Sequence, residues 1–422
     1  MFQLKFDIMK GNTMKKMLIV LALVLLLASC DLFTGGEMLS DQFDISSSGT
    51  IELLGDTVYV YEEDSDSVAK LSKSAVFSKK KKDIGYDLVL AARIPAVAVD
   101  GYNVQANDII IEGNTAYIAY NYAGEPFRGA VQIVDIKRKG EPEIIEEVRL
   151  SSMDVNALYI DGNDLIFGGA ADPDIWGFKS FVGKINTKSI SSSDIAASIT
   201  ELPSHAVTGI TKKSGEYKVT VGAENGKLVS LSSDLAVQDS LDLPDGRDIE
   251  EYQNGVIVIA GTTDNDEADG KVVLVNSGNS VTDEITVPDF GSDYNKATIE
   301  VFEGNTALLA LSEAGFKVLD LRDNSFIFEA PNPDMADGLP YTNSVSSDSD
   351  LIFSANGEWG FRVFTVQSKK FDETAFAGYY PFEGLTDNSG QNYSANHVEY
   401  KSKHLFVASG VGGVQIFTLD KK

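Results

Sequence analysis

The sequence predicts an all-β protein folded as a β-propeller, and three observations lead to this prediction. A strand that begins after a glycine recurs four times, and hairpin units recur at a spacing of about 40 to 57 residues. No capped, amphipathic pattern of helical length persists after the N-terminal leader. Units of this length, made of short strands separated by turn signals, are typical of propeller blades.

The clearest unit spans residues 303–321, with the sequence EGNTALLALSEAGFKVLDL. Its Gly-Asn pair tolerates the positive φ of a tight hairpin, and the apolar run TALLAL then predicts a strand. After a second loop, FKVLDL predicts a partner strand packed on both faces. Each unit therefore contains at least one β-hairpin.

The second strand of this hairpin follows the same pattern in four places. Gly129 precedes AVQIVDI, Gly315 precedes FKVLDL, Gly360 precedes FRVFTV and Gly413 precedes VQIFTL. We expect the polar second position to reach the end of a loop, and the later Asp or Thr to bond the next turn. These positions are Gln132, Lys317, Arg362 and Gln415, and Asp135, Asp320, Thr365 and Thr418.

Eight units can be counted, beginning near residues 51, 108, 156, 208, 248, 297, 344 and 396. The prediction is therefore eight four-stranded blades in one domain, residues 42–422. The last unit ends at Lys422 without a fourth strand, so we expect the N-terminal segment QFDIS, residues 42–46, to close the ring. If the unit near residue 51 is an irregular cap, the ring has seven blades.

The strands VQIVDI, FKVLDL, FRVFTV and VQIFTL, with the glycines before them, resemble the LVIVD-repeat family of bacterial proteins, which are often lipoproteins. The resemblance covers roughly residues 50–422, although the units near 156, 208 and 248 depart from the pattern. It implies a β-propeller at the cell envelope and carries no catalytic motif.

The leader predicts where the protein resides. Residues 14–30, MKKMLIVLALVLLLASC, contain two lysines, an apolar run from Met17 to Leu27 and small residues before Cys30. This pattern predicts a lipoprotein signal peptide, residues 1–29 with Met14 as the true start, cleaved before a lipidated Cys30. Residues 30–41 then form a tether. The expected location is the bacterial cell envelope, anchored in a lipid bilayer, with the membrane left open; the alternative is an uncleaved membrane helix.

Composition excludes several classes of function. The chain has 35 Lys and Arg against 63 Asp and Glu, and removing residues 1–29 leaves 31 against 62, a net charge of −31. Such a field makes nucleic-acid binding unfavourable. Cys30 is the single cysteine, which excludes a disulfide framework, a cysteine zinc cluster and a thiol nucleophile. We predict no cofactor.

The candidate ligand-binding residues lie in loops predicted at one mouth of the ring. Four of these loops carry a tyrosine, which suits contact with a glycan, a peptide or an envelope protein; the alternative is that the tyrosines pack blade against blade. The candidate residues are Tyr102, Asn103, Trp176, His205, Tyr294, Asn295, Tyr341, Asn343, Trp359, Tyr393 and His397.

Metal and catalytic sites have weaker signals. Asp264, Asp266 and Asp269 offer a calcium-like density of oxygens but lack EF-hand spacing, so we predict no metal. The chain lacks a G-x-S-x-G elbow. The favoured function is a binding or scaffolding module, and the alternative is a carbohydrate-active hydrolase with carboxylates at the channel mouth.

Overall fold

In the computed structural model, seven antiparallel sheets are arranged as blades around a central axis. The structure describes residues 43–46, 50–58, 84–137, 141–189, 197–223, 225–261, 269–290, 296–302, 304–332, 341–348, 350–367, 370–382 and 384–422. The predicted signal peptide, Cys30 and the tether lie outside these residues. Within the described ranges, no helix is both long and apolar enough to cross a membrane.

The strands follow the chain blade by blade. The N-terminal strands are β1 (Phe43–Ser46), β2 (Glu52–Val58), β3 (Tyr86–Ile94), β4 (Ala98–Val99) and β5 (Tyr102–Asn103), of which β4 and β5 form a small separate hairpin. Blade 1 contains β6 (Gln105–Glu112), β7 (Thr115–Asn121), β8 (Gly129–Asp135) and β9 (Glu143–Leu150). Blade 2 contains β10 (Ala157–Asp161), β11 (Asp164–Ala170), β12 (Ser180–Asn186) and β13 (Ser198–Leu202), with a short helix, α1 (Pro173–Trp176), between β11 and β12.

The next four blades have the same order of strands from the axis outward. Blade 3 contains β14 (Val207–Lys213), β15 (Glu216–Val221), β16 (Lys227–Leu231) and β17 (Val237–Asp242). Blade 4 contains β18 (Gly246–Tyr252), β19 (Gly255–Ala260), β20 (Gly270–Asn276) and β21 (Val281–Val287). Blade 5 contains β22 (Thr298–Phe302), β23 (Thr306–Ala310), β24 (Phe316–Asp320) and β25 (Ser325–Ala330). Blade 6 contains β26 (Ser344–Asp348), β27 (Leu351–Ala355), β28 (Phe361–Gln367) and β29 (Lys370–Tyr380).

Blade 7 joins the two ends of the described chain and closes the ring. Its inner strands are β30 (His397–Lys401), β31 (His404–Ala408) and β32 (Val414–Lys421). Strand β3 supplies the fourth strand, with Ile94 opposite Val414, and β2 pairs outside it. Exchanging a strand between distant parts of the chain removes two exposed sheet edges.

The structure corrects two predictions about this closure. The ring has seven blades rather than eight, because the unit near residue 51 is not a blade but the outer part of blade 7. The segment predicted to close the ring instead forms β1, which pairs with β9 at the outer edge of blade 1. The difference in burial between β3 and β1 gives a physical reason why β3, and not β1, closes the ring. Strand β3 is nine residues long and largely buried, whereas β1 has four residues and carries the exposed Asp44.

The hydrophobic core lies between neighbouring blades rather than in one central mass. Between blades 5 and 6, for example, the ring of Phe364 lies 5.2 Å from that of Phe316 and 5.9 Å from that of Phe328. Edge-on and tilted packing of this kind is favourable beyond the area that it buries. Each sheet is therefore apolar on both faces, as the FKVLDL-type strands predict.

The four repeat glycines lie at the start of the third strand of a blade, where the backbone passes close to the end of the fourth strand or the residues just after it. A Cβ added at Gly360 would lie 2.0 Å from the carbonyl oxygen of Tyr380, and one at Gly413 would lie 2.1 Å from that of Ile94. Both glycines also have positive φ, 91° and 71°. Because a side chain has no room there, glycine is required where the third strand of the blade meets the end of the fourth.

The polar positions of the repeat are structural, as predicted. Lys317 Nζ donates to the carbonyl oxygen of Pro288 at 3.3 Å, and Arg362 donates to that of Pro331 at 3.1 Å, both in loops between blades. Gln415 bonds Ser409 in the loop before β32, whereas Gln132 bonds the side chain of Glu147. The aspartates cap the following turn: Asp135 Oδ1 accepts from the Lys137 amide, and Asp320 Oδ1 accepts from the Arg322 amide. Thr365 instead donates weakly to Ala375 in the next strand.

Candidate functional site

The candidate site is a cavity of about 400 Å³ on the axis of the ring, lined by the innermost strand of every blade or the residue just before it. Its volume lies within the range typical of small-molecule sites. The polar lining residues are Asp108, Asn156, Thr208, Asp248, Glu250, Lys296, Thr298, Glu300, Ser346, His397, Glu399, Tyr400 and Lys401. The apolar lining residues are Ile109, Ile110, Ala157, Leu158, Ile210, Ile249, Ile299 and Val345, with Gly209.

The innermost strands need polar side chains because each pairs with a neighbouring strand on one side only. The other edge faces the next blade, so its amides require other acceptors. Asp108 in blade 1 accepts the amide of Leu158 in blade 2 at 3.1 Å. Asp248 in blade 4 accepts the amide of Ile299 in blade 5 at 3.0 Å. These two carboxyls join neighbouring blades at the axis.

Polar contacts also bridge the other joints of the ring. The hydroxyl of Thr208 donates to the carbonyl oxygen of Gly246 at 2.7 Å, and that of Ser346 accepts the amide of Tyr400 at 3.0 Å. The other three joints are bridged, among other contacts, by Tyr217 with Asp161, Ser347 with Glu300, and Asn396 with Ala106. A large part of the polar lining therefore has a structural role.

We define the first level of the cavity as Asp108, Asp248, Lys296 and His397. Lys296 belongs to blade 5, but its ammonium group donates to the carbonyl oxygen of Asn107 in blade 1, so its side chain spans the channel. His397 Nδ1 lies 3.3 Å from Asp108 Oδ1, and both side chains are 15% exposed. This level brings two carboxyls, an amine and an imidazole together.

Desolvation controls the charge of these groups. It raises the pKa of Asp108 and raises that of Asp248 well above the usual value. It lowers the pKa of Lys296, and together with the nearby Lys296 it lowers that of His397 well below 6.5. The imidazole is therefore neutral at pH 7.

The second level, Glu250, Glu300 and Glu399, lies two residues beyond Asp248, Thr298 and His397 along β18, β22 and β30. Desolvation raises the pKa of Glu250 and of Glu399 to about 7, and raises that of Glu300 well above its usual value. Glu399 further raises the pKa of both other glutamates, because the like charges face one another. An ammonium comparable to Lys296 does not lie within this trio; Lys401 acts on Glu399 alone.

Two polar atoms on β22 have no hydrogen-bond partner among the described residues. They are Oε2 of Glu300, whose other oxygen accepts from Ser347, and Oγ1 of Thr298. Thr298 is only 8% exposed and lines the cavity. A buried polar atom without a partner costs about 1 to 3 kcal/mol. Both oxygens are therefore buried without a compensating hydrogen bond in this structure.

The residues predicted from the loops do not form one surface. Tyr102 is exposed, and its ring packs edge-on against Tyr122 with centroids 5.2 Å apart. The guanidinium of Arg128 lies over Tyr102 and pairs with Asp100 at 2.9 Å. Asn103 donates to Asp387 at 3.0 Å. Together these residues form a small polar and aromatic cluster beside the joint of blades 7 and 1.

Several other predicted residues are held by packing contacts. Trp359 is 8% exposed and stacks on Tyr379 with centroids 4.3 Å apart, and Asn343 donates to the carbonyl oxygen of Ala395 at 3.0 Å. Tyr393 packs against Phe382.

The remaining predicted residues have varied surroundings. Trp176 ends α1 and donates to Ser152 at 2.8 Å, Tyr341 is half-buried, and His205 is exposed. His397 is the predicted residue that lines the cavity. Tyr294 and Asn295 lie outside the described residues. Ligand binding by this set stays a prediction.

The described part of the chain contains no group of three His, Cys, Asp or Glu residues placed to hold a metal ion. Asp269 Oδ1 accepts the amide of Asp289 at 3.1 Å, and its predicted companions Asp264 and Asp266 lie outside the described residues.

Sequence reasoning did not single out the carboxyls of the cavity, because the chain has 63 acidic residues and their spacing matches no motif. A usable signal was nevertheless present at the predicted start of three units. There, a polar residue, a β-branched residue and a glutamate follow one another, as Asp248-Ile249-Glu250, Thr298-Ile299-Glu300 and His397-Val398-Glu399. Alternation in an innermost strand places the first and third residues on the same side.

Comparison with known proteins supports the fold alone. The structure of U3-55K aligns with a TM-score of 0.54 and 10% identity, covering 77% of this chain and 99% of that one. The WD40 β-propeller domain of Doa1 aligns with a TM-score of 0.52 and 12% identity, covering 78% and 97%. Raptor from Chaetomium thermophilum aligns with a TM-score of 0.52 and 9% identity, covering 76% of this chain and 29% of that one.

No family model and no curated protein matches the sequence. The solved structures support a β-propeller fold, and the sheet topology gives the ring seven blades.

Proposed function

We propose that this protein is a binding β-propeller of the bacterial cell envelope that holds a small ligand in its axial cavity. The supporting observation is the cavity itself, about 400 Å³ in volume, in which charged side chains converge from several blades. A site of this kind combines apolar walls with a few polar groups that fix a ligand's orientation. A purely structural channel has less reason to retain three mutually repelling glutamates.

The test is to block the cavity without disturbing the ring. Ile110 is half-buried and lines the cavity, so Ile110→Trp places an indole inside it. Ile145→Trp is the matched control, because Ile145 is 44% exposed on the outer strand β9. The proteins are purified from cells and denatured, and the released small molecules are measured by mass spectrometry.

We expect a molecule that accompanies the wild type and the Ile145→Trp control and is lost from Ile110→Trp, with the unfolding temperature of both variants near that of the wild type. Equal recovery of small molecules from all three proteins, or recovery from none, would contradict the proposal.

The location at the envelope rests on the leader sequence, and we propose that a lipid on Cys30 anchors the propeller to a bilayer. Labelling cells with radioactive palmitate tests this proposal, because the wild type incorporates label and Cys30→Ala does not. Membrane fractionation should move in parallel, with Cys30→Ala recovered in the soluble fraction. The resemblance to LVIVD-repeat lipoproteins agrees with this location.

A second candidate function, hydrolysis of a carbohydrate, is favoured by one observation. Glu250 and Glu399 have pKa values of about 7, which suit a general acid near neutral pH. Turnover of glycoside substrates by the wild type, abolished by Glu250→Gln or Glu399→Gln, would support it. Binding of an unmodified ligand without turnover would favour the binding function.

A further inference from the structure

We infer that the second level of the cavity binds an organic cation that carries two or more ammonium groups, such as a diamine or a polyamine. This inference rests on the proposed function and names the class of its ligand. It follows from the charge balance of the cavity, from the unpartnered acceptors at Thr298 and Glu300, and from the apolar part of the cavity lining.

The cavity holds more acidic than basic groups. Five carboxyls line it, at Asp108, Asp248, Glu250, Glu300 and Glu399, against the amines of Lys296 and Lys401. His397 adds no positive charge near neutral pH. A positively charged ligand would therefore reduce the repulsion among these carboxyls, which persists in the protein without the ligand.

The two levels differ in how the excess of acidic groups is balanced by donors and positive charge. At the first level, backbone amides bond Asp108 and Asp248, and the ammonium of Lys296 lies close enough to lower the pKa of Asp108. At the second level, Ser347 bonds one oxygen of Glu300 and leaves the other without a partner. A ligand ammonium at the second level would balance the charge of the glutamates on which Lys296 does not act.

The two unpartnered oxygens of β22 suit an ammonium group. An ammonium has three N–H donors and no acceptor, so it requires oxygen atoms with free lone pairs. Glu300 Oε2 and Thr298 Oγ1 provide two such oxygens on one strand, and both are shielded from solvent. Charge-assisted hydrogen bonds of this kind are roughly twice as strong as neutral ones.

The shape of the site favours an organic cation over a metal ion. No group of three candidate metal ligands comes together within the described residues, so the carboxyls are spread over the wall instead of converging on one point. The cavity is also lined by Ile110, Leu158, Ile210 and Val345, which offer an apolar surface for methylene groups.

Binding of such a cation should release protons. With pKa values of about 7, Glu250 and Glu399 are partly protonated near neutral pH, and a bound ammonium favours their ionised forms. Affinity should therefore increase as the pH rises from 6 to 8. The other groups facing the site are Asp108, Asp248, Glu300, Lys296, Lys401 and His397, and the inference requires that they remain in place.

The experiment is calorimetric titration of the full-length protein with spermidine and with 1,4-diaminobutane, in two buffers that differ in ionisation enthalpy. The test variant carries Glu250→Gln, Glu300→Gln and Glu399→Gln. The matched control carries Glu143→Gln, Glu201→Gln and Glu284→Gln, which are exposed on the outer strands β9, β13 and β21 and remove the same charge. Thr298→Val tests the hydroxyl separately.

We expect at least a tenfold loss of spermidine affinity in the test variant, less than a twofold change in the control, and a three- to tenfold loss in Thr298→Val. The heat should depend on the buffer in the wild type, because protons are released. Equal affinity of the wild type and the test variant would overturn the inference, as would equal losses in the test and control variants. Tighter binding of Ca²⁺ than of either amine, abolished in the test variant, would overturn the ligand class.

Failure of this inference is distinguishable from failure of the proposed function. If neither amine binds but a molecule still accompanies the wild type and not Ile110→Trp, the amine inference is wrong and the cavity remains a binding site. If neither amine binds and the Ile110→Trp comparison also shows no ligand, both are wrong.

Discussion

The two levels of the axial cavity carry the same kind of side chain in opposite circumstances. Asp248 accepts the amide of the next residue, Ile249, at 2.8 Å. It also accepts the amide of Ile299 at 3.0 Å and thus joins blade 4 to blade 5. Glu250, two residues further along the same strand, faces Glu399 and Glu300, and this repulsion raises the pKa values of Glu250 and Glu300 further. The first carboxyl is part of the ring's architecture, and the second opposes its stability.

Two carboxyls of one strand therefore differ in role: Asp248 joins two blades, and we assign Glu250 to the proposed binding site. Asp108, Asp248 and Lys296 satisfy groups that the ring geometry leaves without partners. At the second level, Glu300 also bonds a neighbouring blade through Ser347, whereas Glu250 bonds the amide of Glu251 on its own strand. Natural proteins retain destabilising groups chiefly where function requires them. The contrast can be tested one side chain at a time.

The largest effect should follow Asp248→Ala, which removes the acceptor of the Ile299 amide. We expect the free energy of unfolding to fall by about 2 to 3 kcal/mol, because a buried donor loses its bond and a cavity forms beside Gly209. Asp248→Asn keeps an acceptor and should cost less. Denaturant unfolding measures both variants. Equal stability of the two would show that Asp248 does not join the blades through this bond.

A smaller effect is expected from Lys296→Met, which removes the side chain that spans the first level. The pKa of His397 should rise, since Lys296 lowers it, and the free energy of unfolding should fall by about 1 kcal/mol because the bond to Asn107 is lost. Titration of the imidazole by NMR measures the pKa. Lys401→Met is the control, because Lys401 lies on the same strand as His397 but does not contribute to its shift. A pKa of His397 unchanged in Lys296→Met would contradict the proposed geometry.

The glutamates of the second level should make stability depend on pH in a defined direction. The folded protein holds the pKa of Glu250 and Glu399 at about 7, above the usual glutamate value of 4.5, so between these values it binds more protons than the unfolded chain. Their contribution therefore favours folding at low pH and is lost as the pH rises towards and beyond 7.

The double variant Glu250→Gln and Glu399→Gln isolates this contribution from that of His397, whose lowered pKa acts in the opposite direction below pH 6.5. Its stability relative to the wild type should be unchanged at pH 4 and higher by roughly 1 to 2 kcal/mol at pH 8, a value reduced for solvent screening. Unfolding curves recorded across this range measure the difference. A difference that does not vary with pH would contradict the assignment.

The smallest effect should follow Ser347→Ala, which removes the one side-chain bond to Glu300. The free energy of unfolding should change by about 0.5 kcal/mol, because the backbone amide of Ser347 still bonds Glu300 after the hydroxyl is removed. Ser346→Ala, one residue earlier, removes the acceptor of the Tyr400 amide and should cost more. The reverse order of these two costs would mean that Glu300 joins blades 5 and 6 more strongly than Ser346 joins blades 6 and 7.

The repeat strands were predictable from sequence because their chemistry is local. Gly315, Gly360 and Gly413 precede strands whose apolar and polar order reports burial directly, and the structure confirms the strands where the pattern places them. Starts predicted for seven of the units agree with the innermost strands of the seven blades.

The closure of the ring and the site were not predictable in the same way. Pairing of β3 with β32 depends on contacts between residues at opposite ends of the described chain, and nothing local distinguishes β3 from a strand of its own blade. The cavity has the same difficulty. Glu250, Glu300 and Glu399 are separated by tens of residues, and a seven-fold arrangement alone brings them to one level. Only His397 was identified from sequence.

The most direct test of this account is the thermal unfolding of the triple variant Glu250→Gln, Glu300→Gln and Glu399→Gln at pH 7.5, with and without spermidine. The account predicts that the variant unfolds at a higher temperature than the wild type without spermidine, and that spermidine stabilises the wild type alone. A variant that unfolds at a lower temperature than the wild type, or that spermidine stabilises equally, would contradict it.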